Sequence, residues 1–352
     1  MGLYPLFDRL PRLRARAPVA GLLPAATPVT PFAGGTGLYL KRDDLSAPDY
    51  GGNKIRKLDF LLGSARDRGV REILTFGYAG SNFVAATAWH AAKLGIHTCG
   101  FLLPQEPAAY IPDNLAVSLS VGAELRELPT QPVIGSHSVL RSLRSLLQRG
   151  RWPWWIPPGG STPLGVLGFV NGALELRQQI DAGELPPPEV IYVAFSSMGT
   201  VAGLAIGLAL ARLPTRIMAI QVVDSRFASP SALRKLVARS LRFIGNAGTG
   251  LPALEAVLAR IEIRTEFFGE TYARPTAATR AAIERFQHAC GARADSAYTG
   301  KGLAGFYADL DAGQLRGKNV LYWHSLNANG RPAGVALPPI DRIPASLRHY
   351  FS

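Results

Sequence analysis

Gly51-Gly52-Asn53-Lys54-Ile55-Arg56-Lys57-Leu58, entered from Lys41-Arg42-Asp43-Asp44, sets one lysine in a turn bounded by glycines. Two adjacent glycines let the backbone approach a ligand closely, because no Cβ stands in the way. The apolar and helix-forming residues after Arg56 predict that Lys54 opens a helix running through Arg68. At a helix start the positive end of the dipole, with Arg56 and Lys57 alongside, is expected to depress the lysine pKa. A neutral amine can take up an aldehyde. The same eight residues also describe a basic helix start on a surface, so the reading needs support from the rest of the chain.

At 352 residues the chain exceeds what one core commonly organises, so two domains with a cleft between them are expected. Apolar residues make up 47% and charged residues 18%, the balance of a globular protein, and no apolar run reaches the ~20 residues of a membrane span. The net charge of +13 raises the question of nucleic acid. Its arginines are scattered through amphipathic stretches such as Leu233 to Arg242 rather than interleaved with aromatics, so no nucleic-acid partner is expected. Cys99 and Cys290 are the only cysteines and stand at no metal-ligand spacing, so neither a disulfide framework nor a metal site is expected. Pro18 and Pro24 interrupt the apolar patch near the N-terminus, which leaves cytoplasmic residence as the expectation.

Residues 1–37 read as an extended, wrapping arm with one short helix near Leu6. Strand and helix then alternate. A strand at Gly37 to Lys41 precedes the lysine helix, and strands at Glu72 to Gly77 and His97 to Leu103 alternate with helices at Ser81 to Leu94 and Asp113 to Val121. Gln131 to Pro158 is less regular, with a basic helix at Ser138 to Gln148. Alternation resumes from Thr162 with a helix to Ile180, a strand at Val190 to Phe195, a helix at Val201 to Leu213 and a strand at Arg216 to Val223. This order predicts an α/β protein with mostly parallel sheets flanked by helices. The expected domains are 1–50 plus 163–352, the larger, and 51–162, the smaller.

Two further turns carry chemistry. Phe195-Ser196-Ser197-Met198-Gly199-Thr200-Val201-Ala202-Gly203 joins a buried strand to a helix of small residues, where backbone N–H groups and hydroxyls can cradle a phosphate. It lacks the patterns for nucleoside triphosphates and dinucleotides, so a small monophosphate fits better. Gly77-Tyr78-Ala79-Gly80-Ser81-Asn82 repeats the logic on the first sheet, with Ser81 also readable as a plain helix cap. Tyr272 and Tyr298 stand in later loops.

Taken with Thr27 to Pro31, Pro158-Gly159-Gly160-Ser161 and Tyr298-Thr299-Gly300-Lys301, these pieces resemble the pyridoxal phosphate enzymes of fold type II, the tryptophan-synthase-β superfamily. Within it the chain is most similar to the group of D-cysteine desulfhydrase and 1-aminocyclopropane-1-carboxylate deaminase. The resemblance spans nearly the whole length. It implies two domains, each a mostly parallel twisted sheet flanked by helices, with pyridoxal 5'-phosphate held by the larger one. Lys54 would be the Schiff-base lysine and a proton shuttle. Lys57, Ser197, Met198, Gly199 and Thr200 would hold the phosphate, Asn82 the ring hydroxyl, and Thr299 the ring nitrogen. Ser81 would serve the substrate carboxylate or proton transfer, and Tyr272 and Tyr298 acid–base chemistry or substrate positioning.

Three positions and one turn depart from the family pattern or divide its members. Met198 stands where a glycine is usual, and Phe83 where the family commonly has His or Gln. Tyr322 to Gly330 replaces a histidine-threonine-diglycine turn. Thr299 stands where ring-opening deaminases have Glu; a hydroxyl leaves the pyridine nitrogen largely neutral and the ring a weaker electron sink. The expected function is therefore β-elimination on a small amino acid, giving pyruvate and ammonia, in a homodimer. Ring opening, racemisation and β-replacement on the same cofactor are alternatives, as is a non-catalytic cofactor- or metabolite-binding protein.

Overall fold

The computed structural model describes residues 2–33, 35–246 and 250–351. Met1, Gly34, residues 247–249 and Ser352 lie outside the described residues. In chain order the structure runs α1 (Pro5–Arg9), β1 (Val29–Pro31), β2 (Leu38–Arg42), α2 (Lys54–Asp67), β3 (Glu72–Tyr78), α3 (Asn82–Ala92), β4 (His97–Leu103), α4 (Ile111–Ser120), β5 (Glu124–Glu127), α5 (Gln131–Arg149) and β6 (Trp154–Ile156). It continues with α6 (Pro163–Asp181), β7 (Val190–Phe195), α7 (Gly199–Leu210), β8 (Arg216–Gln221), α8 (Pro230–Gly245), α9 (Leu254–Leu258), β9 (Ile261–Arg264), α10 (Ala277–Cys290), α11 (Thr299–Asp311) and β10 (Val320–His324).

These strands form two sheets. Six strands take the order β1-β2-β10-β7-β8-β9, and four take β5-β4-β3-β6. Among the described residues only β1, against β2, pairs antiparallel; every other pairing in both sheets is parallel. Parallel neighbours require crossovers, and the helices between strands supply them, covering the sheet faces. The fold is thus α/β with mostly parallel sheets flanked by helices.

Central strands have a clear origin in the sequence. Val190-Ile-Tyr-Val-Ala-Phe195 is nearly all apolar, and Ile191, Tyr192, Val193 and Phe195 are buried, as a strand with both faces covered demands. β5 is different: Glu124-Leu-Arg-Glu127 buries only Leu125 and sits at a sheet edge, so it carries no apolar run to announce it. α5 begins at Gln131, seven residues ahead of the expected Ser138, because Pro132 in its first turn is compatible with a helix start.

A buried charge network ties α2 to the larger sheet. Arg56 donates to Asp43 at 2.7 Å and to Glu175 of α6 at 2.9 Å, Lys41 reaches Glu175 at 2.6 Å, and the Trp323 indole donates to Asp43 at 2.7 Å. Each of these side chains is buried. α2 and α6 also pack backbone to backbone: a Cβ on Gly168 would stand 2.0 Å from the Arg56 carbonyl oxygen. The start of α2 is therefore held rigidly, and with it the residue that opens the helix.

Candidate functional site

Lys54 is the first residue of α2, at the C-terminal edges of both sheets, and its turn is clamped from the far end of the chain. The Asn53 N–H donates to the Ser325 carbonyl at 3.2 Å, and the Gly51 N–H to Asn327 Oδ1 at 3.1 Å. Gly52 adopts φ +84°, and a Cβ there would stand 3.0 Å from Leu326 O and Asn327 N, so glycine is required on two counts. The unusual Ser325 to Asn329 turn thus fixes the lysine turn. Lys54 Nζ donates to Asn53 Oδ1 at 2.6 Å and lies 5.5 Å from the Tyr298 ring centre.

Burial lowers the Lys54 pKa to about 8, with the Asp295 carboxylate pulling the other way. The direction agrees with the sequence reading, but the cause differs. Arg56 points away from Lys54 into the carboxylate network, where its charge is neutralised. Lys57 is pushed well below its usual value, first by burial and then by the charge on Lys54.

One cavity of about 530 Å³ gathers most of the expected residues: Lys54, Lys57, Ser81, Asn82, Ser197, Met198, Thr200, Tyr272 and Tyr298 all line it. At one end the β7–α7 turn meets the Gly159 to Ser161 turn. Lys57 Nζ donates to the Gly159 carbonyl at 3.0 Å, Ser161 Oγ donates to Ser197 Oγ at 3.0 Å, and Gly199 N–H donates to Ser161 Oγ at 3.2 Å. Gly199 lies just behind the wall. The first turn of α7 leaves N–H groups with no partner inside the helix, adding donors to this cluster of hydroxyls and an amine. Met198 takes φ +67°, a left-handed conformation unfavourable for any residue with a Cβ. The glycine usual at this position is explained by that angle.

Ser81 caps α3, accepting from the Val84 N–H at 3.3 Å, and Asn82 follows as the first helical residue, its Oδ1 accepting from Asn114 Nδ2 at 3.1 Å. The Phe83 ring packs beneath Gly160, where a Cβ would meet ring atoms at 2.8 Å, so its apolar character serves the turn above it. Tyr272 stacks on Tyr78 with ring centres 4.3 Å apart, and its hydroxyl meets that of Tyr298. Burial raises the pKa of both Tyr272 and Tyr298, so they stay protonated and able to donate.

Among the described residues, the wall below Tyr298 carries Asp295 and not Thr299. Thr299 is buried; its hydroxyl donates to Asp295 Oδ2 at 2.7 Å and accepts from the Asp295 N–H at 2.8 Å. Asp295 also accepts from the Ala297 and Tyr298 N–H groups at 2.9 and 2.6 Å. Sequence reasoning passed over Asp295, and it placed Ser161 and Ser325 in family motifs without giving either a role. The signal for Asp295 was an acidic residue just ahead of a helix start, the ordinary mark of a cap.

The residues present fit a phosphorylated aldehyde cofactor: an amine with a lowered pKa stands in the same cavity as a cluster of hydroxyl, amine and N–H hydrogen-bond donors. Comparison with known proteins agrees. The profile of the family described as "Pyridoxal-phosphate dependent enzyme" matches residues 22–325. The chain is 33% identical over 310 residues to "Nocardicin C-9' epimerase" of Nocardia uniformis subsp. tsuyamanensis, covering 86% of this chain and 89% of that one. It is 32% identical over 315 residues to "D-cysteine desulfhydrase" of Salmonella paratyphi A, covering 87% and 90%. A crystal structure described as an "ACC deaminase homologue" superposes with a TM-score of 0.76 at 28% identity, covering 92% of this chain and 95% of that one. With its lysine turn, the β7–α7 turn and two mostly parallel sheets in this arrangement, the chain belongs to the pyridoxal-phosphate dependent enzymes of fold type II.

Proposed function

We propose that this enzyme catalyses β-elimination on a β-substituted amino acid, in the manner of a D-cysteine desulfhydrase, releasing pyruvate and ammonia. The observation that carries the reading is the Lys54 amine: half-buried, held near a pKa of about 8, and facing a cavity that also holds hydroxyl donors. The relatives named as desulfhydrase and deaminase homologue support it.

The cofactor supplies an aldehyde for an amine to join and a ring that draws electrons from the bond broken at the substrate α-carbon. Lys57, Ser161, Ser197 and Thr200, with the N–H groups opening α7, hold its phosphate. Asn82 orients its ring. Lys54 would anchor it and, as the freed amine, would take the α-proton, which the departing β-substituent can then carry away. Ser81 and the first turn of α3 receive the substrate carboxylate. Tyr272 and Tyr298, both protonated, donate hydrogen bonds to the departing β-substituent. Asp295 keeps Lys54 basic enough to accept a proton and orients the Thr299 hydroxyl.

We place the working boundaries at 1–50 plus 163–352 and 51–162, so that the site lies between two lobes, and we assign the chain to the cytoplasm as a homodimer. No helix among the described residues is long and apolar enough to cross a membrane.

The test is product analysis on holoenzyme given D- and L-cysteine, β-chloroalanine and O-acetylserine: pyruvate and ammonia in equal amounts are expected from at least one. A second reading, epimerisation, is favoured by the relative named an epimerase. Inversion at the α-carbon with no pyruvate from any of these substrates would replace the first reading with the second.

A further inference from the structure

The cavity has two chemically distinct parts. Its amines and hydroxyls gather where Lys54, Lys57 and the α7 turn meet. Another part of the wall is mostly apolar: Phe76, Tyr78, Leu103, Ile134, Trp155 and Phe227 line it, with Gln131 and Ser138 of α5 the polar side chains beside Ile134. Local geometry explains the clustering. Phe76 and Tyr78 are two residues apart on β3 and so project from one face of the smaller sheet. Trp155 stands on the neighbouring strand β6, with its ring centre 5.9 Å from that of Phe76. Its indole N–H is used, donating to Ser142 Oγ at 2.9 Å. Ile134, from α5, packs with Leu103, Phe76 and Phe101. From the other side Phe227 meets Tyr78 edge-on at 6.4 Å, and both Phe227 and Trp155 keep exposed surface at 42% and 37%. Large apolar side chains left open at a cavity mouth mark a surface awaiting an apolar ligand group.

We infer that this part of the cavity receives an apolar or aromatic group attached to the substrate's β-carbon through its leaving atom, which makes S- and O-substituted β-heteroalanines the substrate class. A thiol or chloride alone would leave the apolar wall against water, whereas an aryl group stacks on Phe76 and Trp155 and displaces that water. The inference rests on the amino-acid lyase reading above. For an S-benzyl substrate the Cα–H and Cβ–S bonds break, sulfur leaves with the bonding pair and takes a proton as the thiol. Water then supplies the keto oxygen of pyruvate as nitrogen departs as ammonia.

Gly135 offers a clean lever. It lies on α5 at this wall, and a Cβ built there meets no atom within 4 Å. Gly135→Leu would grow into the space the aryl group needs while improving helix propensity. Calorimetric binding of D- and L-phenylalanine and alanine to holoenzyme is the primary test, because neither carries a β leaving group. Phenylalanine of the preferred hand is expected to bind at least tenfold tighter than alanine, and Gly135→Leu to cut that ratio at least fivefold. Kinetically, S-benzylcysteine should exceed cysteine in kcat/KM by a similar factor. Alanine binding as tightly as phenylalanine to the wild-type holoenzyme overturns the inference, whatever the variant does. Tight phenylalanine binding with no pyruvate from either cysteine or S-benzylcysteine overturns the lyase reading and, with it, the leaving-group assignment, and shows that the apolar wall binds a side chain that stays attached.

Discussion

Lys54 and Arg56 stand two residues apart in the first turn of α2, one half-buried at the cavity and the other fully buried, and the fold treats their charges in opposite ways. Arg56 donates to Asp43, Glu175 and the Thr27 hydroxyl. Burial works against its charge, but the two carboxylates more than offset that and raise its pKa. Glu175, penalised by burial and then rescued by Arg56 and Lys41, is lowered to about 2. On the other face, Lys54 and Lys57 find carbonyl and amide oxygens instead of carboxylates within bonding distance, and both pKa values fall. A buried cation saturated with carboxylates is scaffold; one held without them is available for chemistry.

Removing Lys54 tests the active side. Lys54→Ala should lower turnover by at least about a thousandfold, since the proposed proton carrier is gone. Its urea midpoint should match or exceed that of the parent, because an amine half-buried without a carboxylate costs stability. An equal loss of fold and activity would break the distinction. Arg56→Met tests the scaffold side by leaving Asp43 and Glu175 with too little positive charge, at a cost of about 3–5 kcal/mol in urea unfolding.

pH sharpens the contrast. In cofactor-free protein, acylation of Lys54 should reach half its maximal rate near pH 8, against 10.5 for an ordinary lysine. Asp295→Asn should move that midpoint lower, since the carboxylate raises it. The sign for stability follows. The folded chain releases the Lys54 proton near pH 8 and the unfolded chain only near 10.5, so the unfolded state binds more protons between them. Cofactor-free protein should therefore gain stability as pH rises through that window. A midpoint in urea that falls steadily from pH 8 to 10 would contradict the assignment.

The smallest effect belongs to Met198. Met198→Gly relieves the left-handed backbone at φ +67° but frees the unfolded chain, for a net gain of about 0.5 kcal/mol by thermal unfolding.

Much of the framework was legible in one dimension. His97–Leu103 and Val190–Phe195 fall where their apolar runs put them, and β3, α2 and α6 begin or end within a residue or two of the expected limits. β5 was not, because an edge strand with one buried residue has no pattern to read. At the site, Lys54, Ser81 and the Ser197 to Thr200 turn were recognisable because each depends on local backbone chemistry: a glycine turn, a cap, a helix start. The meeting of Tyr272 with Tyr298 and Tyr78 was not, nor was the interposition of Asp295 between Thr299 and the cavity.

By itself the sequence determined the alternation of strand and helix and the placing of a lysine at a glycine-bounded helix start, because period and turn chemistry act over a few residues. Only the tertiary structure decided which cation of that turn is neutralised. Arg56 meets its carboxylates across separations of 13 and 119 residues, and Lys54 is lowered by burial rather than by its neighbours in sequence. It likewise decided that one wall of the cavity is mostly apolar, since Phe76, Trp155, Ile134 and Phe227 come from four separate segments. Charge pairing and desolvation are properties of three-dimensional neighbours, and those are set by packing rather than by position along the chain.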